Sequence, residues 1–486
     1  MHRSLIAAVA ATALAAPLAL TATGTANAAP RPPKTPVADF NGDGYADLAF
    51  SASYGPAGGK QNAGYVAVVP GSKNGPDRAH TRLIDRNTPG VPGEATEGET
   101  FGRELVVGDF DGDRYTDLVV VGDTEAKAVL LWGSKNGLTG ASAEVTNNRY
   151  GYVSAGDFNG DGHQDLVTEA YPVHDNDPAV MTVSYGPFTR QGDPVKKQGV
   201  RVPAEHGLLK LVAGDMTGDG VDDLVVSDGD EDGPLPSRFW KGTRSGLSAT
   251  SSRKLGPSRD GVVADVDGDG YGDFVTREVH GDGDTQYDDK GTVRVDYGSK
   301  NGPGATRSVK LTQDSPGVPG TGESGGPMTG GDDYHRGDHF GARLSAGDVN
   351  GDGYADIAVG IPGKDVTTGG KKAYDTGRVV LLKGAKSGLS GKGAQAFTQS
   401  TKGVPGVSET GDRFGAGGVL SDVNGDKKAD LTVTAPEEDT TAQDVGAAWY
   451  LKGSGTGLTT SGSTSFGPAA LGAPNERSYF GAWVGR

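Results

Sequence analysis

One pattern returns seven times along the chain: Asp-x-[Asp/Asn]-Gly-Asp-x-x-x-Asp and then an apolar residue, with Thr in the third place once. The copies begin at Asp39, Asp109, Asp157, Asp215, Asp265, Asp348 and Asp422, so successive starts lie 70, 48, 58, 50, 83 and 74 residues apart. A constant core with variable spacers marks one supersecondary unit repeated, its length differences falling in loops. Such units have to stack on one another, because none can bury an apolar face alone.

The units are built of strands. Runs such as LVVVGD (118–123), AVLLWG (128–133) and RVVLLKG (378–384) are apolar, β-branched and closed by Gly. Few stretches carry the i, i+3, i+4 periodicity of a packed helix. With 82 Gly, 27 Pro and only 34% apolar residues, many short strands joined by tight turns suit the composition better than a thick helical core. Cysteine is absent, so disulfides cannot brace such a structure.

Two companion motifs keep the same beat. Downstream of each acidic stretch a strand ends in a Gly turn, as in VVPGSKNGP, LLWGSKNGL and VDYGSKNGP, which reads as a hairpin with Gly and Asn at positive φ. Eight residues upstream lies Phe-Gly: Phe101-Gly102, Phe340-Gly341 and Phe414-Gly415, with weaker versions such as Tyr150-Gly151 in the central units. The chain ends in YFGAWVGR, which holds Phe480-Gly481 but no acidic stretch, while PVADFNGDG near residue 36 holds an acidic stretch and no Phe-Gly. Together the two make one unit. The expected fold is all-β: a seven-bladed β-propeller of four-stranded antiparallel blades, its ring closed by the C-terminal strand completing the first blade.

Phe-Gly, the Asp-rich loop, and then Gly360-Ile361-Pro362 or Ala435-Pro436 resemble the FG-GAP repeat. The resemblance covers residues 36–486 and implies the seven-bladed propeller of integrin α subunits and of many secreted bacterial proteins. It also implies acidic loops joining the first and second strands of each blade on one face, with ligands taken on the other. The loops of that second face are 53–64, 89–100, 169–179, 277–291, 314–339, 362–377 and 402–412, carrying Tyr54, Tyr171, His174, Tyr287, Tyr334 and Tyr374.

The acidic loops have the chemistry of a calcium cage. Oxygen-bearing side chains stand at positions 1, 3, 5 and 9 and a backbone carbonyl at position 7, on a turn that Gly bends at position 6. The candidate ligands are Asp39, Asn41, Asp43, Tyr45 and Asp47 in the first loop, and Asp109, Asp111, Asp113, Tyr115 and Asp117 in the second. The third has Asp157, Asn159, Asp161, His163 and Asp165, and the fourth Asp215, Thr217, Asp219, Val221 and Asp223. The fifth has Asp265, Asp267, Asp269, Tyr271 and Asp273, and the sixth Asp348, Asn350, Asp352, Tyr354 and Asp356. The seventh has Asp422, Asn424, Asp426, Lys428 and Asp430. Arg114 and Lys427 replace the bend Gly in the second and seventh loops. An EF-hand would need a bidentate Glu at position 12 between two helices, and neither is present. Asx turns alone would use the same residues, but Asp recurs at positions 1, 5 and 9 in every copy. Up to seven Ca²⁺ ions would shift the formal charge from −17 to about −3.

That charge also argues against nucleic acid as a partner. The basic start, apolar middle and Ala26-Asn27-Ala28 of the first residues read as a secretory signal over 1–28, followed by a short leader over 29–35. The expected protein is a secreted monomer without a membrane span. Gly322 to Pro327 (GESGGP) resembles a serine nucleophile motif, and His335 and His339 stand four apart, but no partners for a triad or a third metal ligand are evident. Arg336-Gly337-Asp338 spells an adhesion tripeptide, yet GDHFG (337–341) aligns with GDRFG (411–415) and GETFG (98–102) as the lead-in to a blade. The expected function is a non-catalytic module binding an extracellular protein or carbohydrate. The alternative is a propeller enzyme acting on polysaccharide or lipid.

Overall fold

The computed structural model describes residues 38–485 except 123–126, 147–151, 171–179, 203–207, 231–232, 280–287, 328–333, 369 and 441. The expected signal and leader, and Tyr150-Gly151, Tyr171, His174 and Tyr287, lie outside these residues. No described helix is long and apolar enough to cross a membrane. No α-helix occurs among the described residues, only short 3₁₀ turns.

Six antiparallel four-stranded sheets follow one another in chain order, and a three-stranded sheet precedes them. Blade 2 shows the plan: Glu104–Gly108 innermost, then Asp117–Val121, Lys127–Leu131 and Ser142–Thr146. Its acidic loop connects the first two strands, and its Gly turn connects the last two, so both lie at one end. The second strand begins on the position 9 aspartate in blades 2 to 7. The second strands are buried on both faces because each blade is covered by its neighbours: Asp117–Val121 and Asp356–Ile361 are buried throughout, whereas the outer strand Lys196–Arg201 is largely exposed.

The first blade has Leu48–Ala52, Tyr65–Val69 and Arg82–Ile84. Its inner position is taken by the C-terminal segment. The N–H groups of Gly481 and Gly485 donate to Ser51 O and Ala49 O (2.7 and 2.9 Å), Ser51 N–H donates to Trp483 O (2.9 Å), and Phe50 pairs antiparallel with Val484. Gly102, Gly341 and Gly415 make the same bond to the second strands of their own blades.

The phenylalanine of each Phe-Gly pair fills the space between two blades. Phe340 lies with Val293, Val295, Ile357 and Val359, Phe101 with Val66, Val68, Val120 and Val129, and Phe414 with Val379, Leu381, Val433 and Trp449. Phe480 packs against Phe50 (ring centroids 4.9 Å apart), which also meets Phe466 edge-on.

Two details differ from the sequence reading. The hairpin asparagines Asn74, Asn136 and Asn301 are not among the described residues with positive φ; Gly75, Gly137 and Gly302 alone take the left-handed conformation. The serine ahead of them sets the turn, Ser72 Oγ donating to Gly75 O (2.7 Å) and accepting from Asn74 N–H. The face loops of blade 6 are also less irregular than expected, since Gly326–Pro327 pairs with Tyr334–His335 and Val366–Thr368 with Lys371–Ala373.

Candidate metal loops and the opposite face

Each acidic loop is wound by its own side chains. In the first, Asp39 Oδ1 accepts from the N–H of Gly42 (2.7 Å) and Asp43 (3.1 Å), and Oδ2 from Gly44 (2.9 Å). Asn41 Oδ1 accepts from Asp43 N–H and Asp43 Oδ1 from Tyr45 N–H. Positions 1, 3 and 5 therefore turn their oxygens toward the inside of the loop. Arg114 and Lys427 adopt φ of 78° and 67°, the left-handed conformation that Gly holds in the other loops.

Position 9 has a further task in every copy. Asp47 Oδ2 accepts from Phe40 N–H (2.9 Å) and Oδ1 from Gly71 N–H (2.9 Å), so one buried carboxylate ties the acidic loop to the hairpin of its own blade. Asp117 does the same with Phe110 and Gly133, Asp165 with Phe158 and Gly186, and Asp223 with Met216 and Gly242. Asp273 joins Val266 to Gly298, Asp356 joins Val349 to Gly384, and Asp430 joins Asn424 to Gly453. The hairpin glycine is required by this close approach: a Cβ on Gly71 would meet Ala46 O at 2.4 Å. Burial pushes these carboxyls up, Asp47 to about 7, Asp117 and Asp273 to about 8, and Asp430 to about 6, against the lowering effect of the backbone donors.

Neighbouring loops are joined around the ring. The N–H at position 8 donates to the position 1 carbonyl of the preceding loop: Thr116 to Asp39, Asp222 to Asp157, Gly272 to Asp215, Ala355 to Asp265, Ala429 to Asp348, and Ala46 to Asp422. Position 7 presents its side chain to the preceding loop as well. A Cβ on Gly42 would lie 2.8 Å from Tyr115 Cε1, one on Gly268 2.6 Å from Tyr354 Cε1, and one on Gly425 2.8 Å from Tyr45 Cε1.

The donor set fits a hard cation. Carboxylate oxygens of Asp109, Asp111 and Asp117 lie within 4.8 Å of one another, as do those of Asp265, Asp267 and Asp269. Two position 3 oxygens, Thr217 Oγ1 and Asp267 Oδ1, are buried without a hydrogen-bond partner. Such atoms are costly unless something else meets them. The two loops with Asp at position 3 each have an arginine beside them. Arg190 contacts Asp111 (2.8 Å) and Asp113 (2.7 Å), and Arg307 stands 3.6 Å from Asp267.

On the opposite face the aspartate of the adhesion tripeptide is internal, while Arg336 is exposed. Asp338 is 1% exposed, accepting from Gln313 Nε2 (2.6 Å) and Glu323 N–H (2.8 Å) and pairing with Lys364 Nζ (3.0 Å). Its counterparts in the other lead-ins act alike, Glu99 with Arg86 (2.5 Å) and Asp412 with Gln399. The partners Arg86, Gln313 and Gln399 were missed in the sequence. Their signal is a second repeat, DRNTPGVPG (85–93), TQDSPGVPG (312–320) and TQSTKGVPG (398–406). Ser324 lines a cleft with Asp288, Lys290, Thr312 and Asp314, and no histidine is among the described residues there. Of the face tyrosines, Tyr54 is exposed and meets Tyr479 edge-on (5.3 Å), while Tyr374 lies on His335 (5.2 Å).

The inner strands enclose an axial cavity of about 180 Å³, walled by Val106, Val153, Val212, Val262 and Leu420. At its loop-face end Lys210 Nζ is 2.6 Å from Glu104 Oε1, and Trp483 receives Lys210 at 5.1 Å and Arg343 at 4.5 Å from its ring centre. Sequence spacing could not show this group, because its members come from four inner strands.

Sequence profiles of the FG-GAP repeat match residues 34–69, 340–382 and 414–451, and that of the FG-GAP-like repeat matches 109–168. The chain carries FG-GAP repeats in a β-propeller. It is 28% identical over 276 residues to integrin alpha-PS2 of Drosophila melanogaster, covering 54% of this chain and 15% of that relative's length. A solved Agrocybe aegerita lectin, described as recognising non-reducing terminal N-acetylglucosamine, aligns over 91% of this chain and 94% of its own, with a TM-score of 0.47 and 12% identity.

Proposed function

We propose that this FG-GAP propeller is a secreted, calcium-stabilised binding module that takes an extracellular protein or glycan on the face opposite the acidic loops. The observation that carries the calcium reading is the pair of buried, unpartnered oxygens at position 3, Thr217 Oγ1 and Asp267 Oδ1, set among carboxylates. Asp at positions 1 and 5 and the residue at position 3 would supply side-chain oxygens. The position 9 carboxylate keeps a lone pair on Oδ1 beyond its backbone bond in the first six loops, whereas both Asp430 oxygens already accept two hydrogen bonds each. Position 7 would add a carbonyl. Hard oxygens in this number suit Ca²⁺ over Mg²⁺. At ten times Kd each filled site adds about 1.4 kcal/mol to stability. The melting temperature in millimolar Ca²⁺ is expected to fall sharply on adding EDTA and to return with Ca²⁺; a melt unmoved by chelator would refute the reading.

The ligand face is the one that carries the long loops and the mouth of the axial cavity, with Trp483 between Lys210 and Arg343. Aromatic and cationic side chains together suit a polar or anionic partner. A glycan array and a panel of immobilised extracellular proteins test this, beside polysaccharide cleavage assays. Binding lost on Arg343→Ala at unchanged folding supports the module. Cleavage lost with a face variant would make it an enzyme instead.

A further inference from the structure

Outside the acidic loops, the described residues bring one other set of metal-ligating side chains together. His335, Asp365 and Asp375 each place a ligand atom within 4.8 Å of the others. The sequence shows only His335 and His339 four apart with no further ligand; the fold supplies two, both from the blade 6 loop that flanks the small hairpin Val366–Thr368 and Lys371–Ala373. We propose that His335, Asp365 and Asp375 bind one divalent transition-metal ion of the zinc class, pinning the interblade insertion to the face loop of blade 6.

The ligands are oriented before any ion arrives. Asp365 Oδ1 accepts from Asp375 N–H (2.9 Å), which turns Oδ2 into the gap. That side chain is 2% exposed, and no backbone N–H or hydroxyl group meets Oδ2. Its charge is met instead by Lys372 Nζ at 2.9 Å, with His335 Nδ1 at 3.7 Å. Both Asp375 oxygens face Arg336 N–H at 3.3 Å, and the imidazole is steadied against the Tyr374 ring. Such outer contacts fix ligand geometry.

A cation already stands at this place. Lys372 is 42% exposed on a flexible stem, however, and also pairs with Glu323 (3.4 Å), a carboxylate that holds its ammonium when an ion displaces it from Asp365. Two carboxylates and a neutral imidazole balance a divalent ion. The imidazole directs the site toward Zn²⁺, Co²⁺ or Ni²⁺ and away from Ca²⁺ or Mg²⁺. Binding has an identifiable cost: Nδ1, now 3.0 Å from Arg336 O, gives up that contact and the proton moves to Nε2. Three protein ligands leave a fourth position to water. This inference is independent of the binding role proposed above, because it needs no partner.

The test is calorimetric titration of the full chain with Zn²⁺ in millimolar Ca²⁺, repeated with Co²⁺ by visible absorption. One saturable equivalent is expected, weakened at least about tenfold by His335→Ala and by Asp365→Asn. Lys372→Ala keeps every ligand and removes the competing ammonium, so it is expected to bind more tightly; His80→Ala, at an exposed histidine, serves as the unchanged control. Absence of saturable Zn²⁺ binding overturns the proposal, as does equal affinity in His335→Ala. Unaltered affinity in Lys372→Ala overturns it too, and that variant does not endanger folding.

Discussion

At the scale of single residues, position 9 separates what metal binding requires from what the blade requires. Asp47 holds two buried backbone N–H groups, Phe40 and Gly71, with one carboxylate. Asp47→Ala leaves both unsatisfied, at about 1–3 kcal/mol each. Urea denaturation in excess EDTA is expected to show that loss without any contribution from calcium; full stability retained in EDTA would mean that Asp47 acts only as a metal ligand. The spacing of the aspartates was plain in the sequence, and so was the hairpin glycine. Their connection was not, because the bond runs from a side chain to the backbone 24 residues away and leaves no trace in residue types. Asp338 teaches the same lesson. Its neighbours Arg336 and Gly337 make a familiar tripeptide, but burial assigns it to Gln313 and Lys364.

At the scale of elements, the lead-ins to blades 2, 6 and 7 are locked to the loops before them, and the lock before blade 7 carries excess acid. Asp412 and Glu438 both meet Gln399, which is fully buried. Burial pushes their carboxyls up to about 7 and about 8, the nearby acids adding to the effect. A carboxyl whose pKa is raised in the folded state contributes stability at low pH and loses it as pH rises from the unfolded value near 4 through the folded one. In saturating Ca²⁺ the melting temperature is therefore expected to decline between pH 5 and about 8. Glu438→Gln is expected to flatten that decline, and an equal slope in the variant would place the titration elsewhere. The strands and turns of these elements were readable from apolar runs and Gly. The short hairpins at Gly326–Pro327 and Val366–Thr368 were not, since strands this short show no alternating pattern and their Gly, Pro and Lys residues disfavour strands.

For the whole molecule, the seven-fold count in the sequence translated directly into blades, because variable spacers fall in loops and leave the strand plan intact. Phe480 joins the last blade's core to the first, fully buried against Phe50. Phe480→Ala is expected to cost about 3–5 kcal/mol, a large share of a domain's stability. Chemical denaturation measures it, and a loss below about 1 kcal/mol would mean that the first blade does not depend on the C-terminal strand. The bond from Ala46 N–H to Asp422 O has a wider consequence. It treats the first and seventh acidic loops as ordinary neighbours, and Gly485 ends beside Ala49 in the blade that Ala38 begins. The order of the blades in space is thus a cycle, and the chain merely records one place to cut it. A circular permutant joined across residues 38 and 485 by a short linker and opened in the exposed turn at Lys386–Ser387 is expected to keep the same melting response to Ca²⁺ as the natural order.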